Sequence, residues 1–145
     1  MLKRSKLIIA LVIVVGALRF ADAEDQCIAP YGTEAVKNFL HQLQTAVADN
    51  DQRRVVAMVR LPITIMVAGK STKIQSRVQL LRYYDVAFDA KVKGFIAKQE
   101  FSELFCNWQG IMIGRGEIWI NAVGEPAMLR IITINNNPPW SPEDK

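Results

Sequence analysis

One histidine and two cysteines are the only imidazole and thiol metal ligands that 145 residues supply. Neither cysteine has a histidine near it, and no Cys or His pair stands at zinc-ligand spacing. No glycine-rich loop opens a helical pattern, so a phosphate cradle of the P-loop kind is not expected, and the G-x-S-x-G nucleophile elbow is missing. Internal repeats and low-complexity blocks are lacking up to residue 135. A membrane span needs about 20 apolar residues, and the longest uncharged apolar run here, LIIALVIVVGAL at 7–18, has 12. These absences argue against resident metal, nucleotide-phosphate and covalent-nucleophile chemistry. No metal ligand set and no cofactor is expected.

What is present at the start is a targeting pattern. The cationic MLKRSK precedes the apolar run, and Ala21-Asp22-Ala23 offers the small-x-small pattern of a signal-peptidase site. The expectation is cleavage after Ala23, a periplasmic or secreted protein, and no stable membrane anchor after cleavage; retention of 1–23 as an anchor is the alternative. Glu24, Asp25 and Gln26 before Cys27 argue against a lipoprotein signal, which wants small apolar residues there. Removal of 1–23 takes away Lys3, Arg4, Lys6, Arg19 and Asp22, leaving 14 basic and 13 acidic residues and a formal charge of +1. The basic balance of the whole chain therefore belongs to the targeting segment, and no nucleic-acid partner is expected without clustered cations on one face.

The remaining 122 residues are enough for one domain with its own core. The boundaries expected are 24–135 for the domain and 136–145 for a disordered, proline-rich tail, NNPPWSPEDK, with Trp140 as its one docking residue. Two cysteines in an exported chain read as one disulfide, Cys27 to Cys106, against the alternative of two buried thiols.

Between Thr33 and Asn50, Val36, Phe39, Leu40, Leu43 and Val47 recur at helical spacing, with Thr33 as the expected cap. The lone His41 falls about 140° from the middle of that stripe and is expected to face water. A second helix is expected over 51–60, with Val55, Val56 and Val59 inward and Leu61-Pro62 stopping it. Ile63, Ile65 and Val67 alternate as a strand ending at Gly69, followed by a turn and a short second strand over 70–75. Ser76 and Gln79 form the capping box of a new helix on which Val78, Leu81, Tyr84 and Phe88 share a side, resuming through Val92, Phe95 and Ile96 after a bend. Strands are expected over 104–113, 117–123 and 128–135.

The segment NWQGIMIGRGEIWIN raises the site question. A two-residue turn at Gly114-Arg115 or at Arg115-Gly116 puts Ile111 and Ile113 on one face with Ile118, Ile120 and Ala122, and that face runs back to Gln109, Asn107 and Phe105. Trp108, Met112, Glu117, Trp119 and Asn121 take the other side. A three-residue loop would put Glu117 with the isoleucines, where an unpaired carboxylate is costly. Asn107 and Gln109 either end the strand in solvent or line a cavity between sheet and helices. Asp85, at the edge of the capped helix's apolar stripe, is either neutralised by Arg82 or Arg130 or is a pocket carboxyl suited to proton transfer.

Two helices, a strand, a capped helix bearing YYDVAF and three strands with a G-x-x-x-G-x-G-E-x-W hairpin make an α+β order that resembles the nuclear transport factor two-like, or cystatin-like, cone fold over about residues 33–135. The resemblance implies N-terminal helices packed on a curved antiparallel sheet enclosing a pocket, which isomerases, dehydratases, hydrolases and purely binding members use. The enzymatic patterns map poorly. The first helix has no tyrosine for a ketosteroid-isomerase-like site, His41 points the wrong way for a dehydratase-like one, and Tyr84 and Asp85 stand about 100° apart on their helix.

The function expected is an exported, non-catalytic binding protein, its partner an unknown small molecule or protein. A ligand in the cone would meet Tyr84, Asp85, Asn107, Gln109 and Arg130; a protein would meet Trp108, Met112 and Trp119 on the outer face. A twin subunit, making a homodimer, would cover the same aromatics. The alternatives are a periplasmic inhibitor or immunity protein against a toxin or cell-wall enzyme, and a small pocket isomerase or lyase using Asp85.

Overall fold

The computed structural model describes residues 28–136. The targeting segment, Cys27 and all of the expected tail but Asn136 lie outside the described residues. After a 3-10 turn at Ala29–Tyr31 come helices α1 (Thr33–Ala48) and α2 (Gln52–Ala57) and strands β1 (Ile63–Val67) and β2 (Lys70–Ile74). Then follow α3 (Arg77–Arg82), α4 (Tyr84–Ala87), α5 (Ala90–Lys98), a 3-10 turn at Phe101–Glu103, and strands β3 (Phe105–Asn107), β4 (Gly110–Ile113), β5 (Ile118–Val123) and β6 (Met128–Ile134). The fold is α+β: helices packed against an open, four-stranded antiparallel sheet in the order β3-β4-β5-β6, beside the separate β1-β2 hairpin.

Side-chain caps start three of the helices. Asp51 accepts from the Arg54 amide at 3.0 Å, Ser76 from that of Gln79 at 3.2 Å, and Asp89 from that of Val92 at 2.8 Å, each satisfying a backbone N–H that would otherwise lack a partner. Such caps contribute about 1 kcal/mol apiece. The expected cap at Thr33 is corrected: Thr33 is the first helical residue, and Gly32, at φ 82°, precedes it without a side-chain bond. On α1, Val36, Phe39, Leu40, Leu43 and Ala46 are buried, while His41 faces solvent as its phase required.

The capped helix is not continuous. Tyr83 leaves helical geometry at φ −104°, ψ 15°, so α3 and α4 have different phases. Extrapolating 100° per residue across that break therefore fails: Val78, expected inward, is exposed, and Leu80 takes its place in the core. Tyr84 and Phe88 are buried as expected, with ring centroids 5.1 Å apart.

In the sheet, Ile111 faces Ile120, Met112 faces Trp119 and Ile113 faces Ile118. This is the register of the Arg115-Gly116 choice, and the isoleucines share a face as expected. Two corrections follow nearby. The expected strand over 104–113 is a hairpin, because β3 turns back through Trp108 and Gln109 so that Asn107 pairs with Gly110. Gly110 permits it: its φ is 135°, and a Cβ there would run into the Ile120 carbonyl. Phe105 thereby moves to the side of Met112, away from the isoleucines.

The second correction concerns Glu117, placed outward by alternation yet only 2% exposed. Its carboxylate folds back into the turn and accepts from the Arg115 amide at 2.6 Å. The burial cost that argued against an inward Glu117 is offset here by that charge-assisted bond.

Polar ties join the layers. Gln44 of α1 donates to the carbonyls of Ile96 and Gln99 at the end of α5, and the Gln99 side chain accepts from the Gly114 amide at 2.8 Å. Asn136, assigned to the tail from sequence, belongs to the fold: its amide group donates to the carbonyls of Met66 and Val86 and accepts from Met66 N. The core that these ties surround is one aliphatic and aromatic cluster running from Ile28 to Ile134.

Candidate functional site

The isoleucines beside the expected cavity are not open to solvent: Ile111, Ile113, Ile118, Ile120, Ile131 and Ile134 are at most 2% exposed and join the core cluster. The β-branched side chains that make these strands favourable also interdigitate there.

Nor do the five proposed pocket residues converge. Asp85 projects into solvent from α4, and its carboxylate pairs with Lys93 Nζ at 3.2 Å rather than with Arg82 or Arg130. Tyr84, one residue earlier, is buried, and the same Lys93 Nζ lies 5.0 Å from its ring centroid. Among the described residues the Tyr84 hydroxyl has no hydrogen-bond partner. Burial, and then the neighbouring Asp85 and Asp51 charges, push its pKa above 10.0.

Asn107 and Gln109 close the end of the β3-β4 hairpin, the first of the two readings open to them. Asn107 Oδ1 accepts from the Gln109 amide at 2.8 Å, and Asn121 Nδ2 donates to the Gln109 carbonyl at 3.1 Å. The Asn107 side chain is thus engaged in the turn, its Nδ2 also donating to Gln109 Oε1 at 3.5 Å, while the Gln109 side chain is exposed. Arg130 differs from the other four: on β6 opposite Asn121, it borders two surface clefts. One, of about 470 Å³, lies against Tyr31, Phe39 and Met128. The other, of about 420 Å³, also meets Arg60 and Arg77.

The outer face of the sheet is more coherent. Phe105, Met112, Trp119 and Thr133 stand in one row across β3 to β6, each directly opposite the next. Phe105 is 52% exposed, and Met112 and Trp119 are half-buried. Trp108, expected beside them on a strand, sits at the tip of the hairpin turn and is 88% exposed. Arg130 is the only charged residue in the four strands. Sequence reasoning missed Phe105 because it carried one strand straight through a turn; Gly110 after Asn107-Trp108-Gln109 was the available signal.

Among the described residues no group of three or more His, Cys, Asp and Glu side chains is placed to hold a metal ion, and no helix is long and apolar enough to cross a membrane. Cys106 lies half-buried on β3 opposite Ile111 and is not free. The chain matches no family model, no curated protein and no solved structure in the comparisons made with each.

Proposed function

We propose that this chain is an exported, non-catalytic binding protein that docks a different protein on the outer face of its four-stranded sheet. The carrying observation is the row Phe105–Met112–Trp119, three large apolar side chains in register on three adjacent strands and turned away from the core. Interfaces concentrate aromatic residues, Met and Arg and exclude other charges, and this face has that composition. The export half of the reading rests on the targeting pattern alone.

Charge favours a partner other than a second copy. The strands β3 to β6 hold no acidic residue, so two copies joined face to face by their strands would leave Arg130 without a counter-charge there. The partner surface that fits is apolar with a carboxylate near Arg130. An inhibitor that blocks a toxin or a cell-wall enzyme is one form of this reading. Kinship with the nuclear transport factor two-like folds is part of the proposal, supported by element order. The isomerase or lyase alternative loses ground, since Asp85 is exposed and ion-paired.

The test uses the chain as bait in a periplasmic extract and then measures the affinity of the captured protein. Truncating a central interface aromatic costs about 2 kcal/mol or more, so Phe105→Ala and Trp108→Ala should each weaken binding roughly 30-fold while circular dichroism stays unchanged. Capture that survives both substitutions would remove the outer face from the proposal. A homodimer dissociated by Phe105→Ala would replace the foreign partner with a second copy.

A further inference from the structure

We propose that the cleft bordered by Arg60, Arg77 and Arg130 binds a small phosphate-bearing molecule. The three arginines come from distant points of the chain: Arg60 from the segment after α2, Arg77 from the first turn of α3, and Arg130 from β6. Gln75, Ser76, Leu61 and Val123 also border the cleft, and no carboxylate does. Among the described residues the ion pairs are Lys37 with Glu34 and Lys93 with Asp85, so none of these three guanidinium groups has an anionic neighbour within 4.0 Å.

The backbone beneath them is held in place. Arg60 N donates to the Ile131 carbonyl at 2.8 Å and Ile131 N donates to the Met58 carbonyl at 2.9 Å, which ties the Arg60 segment to β6 beside Arg130. Arg77 follows directly on the Ser76 cap. Three like charges gathered at one cleft repel one another, and an anion removes that repulsion. Three guanidinium forks also present more donors than one carboxylate can accept; a phosphate monoester, with three non-bridging oxygens and nearly two charges, matches them better. The volume of about 420 Å³ exceeds what a bare phosphate fills and leaves room for an organic group against Leu61 and Val123. This site goes beyond the protein-partner reading and shares only Arg130 with it, so either can fail alone.

The full chain is titrated calorimetrically with phenyl phosphate, inorganic phosphate and benzoate at ionic strength held constant with sodium chloride. The expected result is saturable one-to-one binding of phenyl phosphate, weaker binding of inorganic phosphate and none of benzoate. Arg60→Gln, Arg77→Gln and Arg130→Gln should each weaken phenyl phosphate binding about tenfold. Arg53→Gln, an exposed arginine on α2 away from the cleft, should leave it unchanged. Arg60 and Arg77 are exposed, so their loss leaves the fold intact, which circular dichroism verifies. No saturable binding of either phosphate, benzoate binding as tightly as phenyl phosphate, or an equal loss in Arg53→Gln would overturn the proposal and leave three solvated arginines.

Discussion

The two faces of the four-stranded sheet both carry large apolar side chains, yet they are built from different residues and meet different surroundings. Inside, six isoleucines interlock with the helices and are at most 2% exposed. Outside, Phe105, Met112 and Trp119 stand in register with only partial cover. Hydrophobicity alone does not tell core from contact surface; residue type does. Stiff β-branched side chains pack into a fixed interior, whereas aromatic rings and a flexible thioether suit a surface that a partner can meet. Stability should therefore depend on the inner face and recognition on the outer one.

The largest expected effect tests whether the N-terminus is tied to this sheet. We propose the pairing of Cys27 with Cys106, which stands in the inner row opposite Ile111. Closing a loop of roughly 80 residues contributes about 4–5 kcal/mol in the chain-entropy model. Reduction should lower the urea-unfolding free energy by that amount, and intact mass should rise by two hydrogens. Next comes the inner face: Ile120→Ala should cost about 2–5 kcal/mol through lost burial and the cavity left behind.

Glu117→Ala sharpens the contrast at the hairpin that joins the faces. It leaves the Arg115 amide without its acceptor and should cost about 1–3 kcal/mol. A loss below a few tenths would show that the buried carboxylate merely occupies space. Tyr84→Phe removes a buried hydroxyl that has no partner among the described residues and should leave stability unchanged or raise it by up to about 1 kcal/mol. Because the folded state holds Tyr84 protonated and its pKa lies above 10.0, its contribution is complete below that pH. The contribution falls as pH rises from there through the folded pKa, since the unfolded chain releases this proton first. The stability difference between wild type and Tyr84→Phe should therefore widen in favour of phenylalanine above about pH 10. Smallest of all, Trp108→Ala should change stability by less than about 0.5 kcal/mol, although the same substitution is expected to weaken partner binding. A large loss of stability there would place the outer tryptophan in the core's energetics and erase the distinction between the faces.

Features that depend on near neighbours were legible in the residues themselves. Side-chain alternation grouped Ile111, Ile113, Ile118 and Ile120 on one face, helical phase turned His41 to solvent, and the S-x-x-Q pattern marked the start of α3. Each rests on a period or a cap that spans a few residues. Tertiary structure alone decided the rest: the break at Tyr83 that exchanged Val78 for Leu80, the turn at Trp108-Gln109 that moved Phe105 outward, the inward fold of Glu117, and the meeting of Arg60 and Arg77 with Arg130. Range separates the two groups. Periodicity carries phase only until the backbone leaves its regular geometry, and which distant groups then satisfy a buried polar atom or share a cleft is settled by packing between segments.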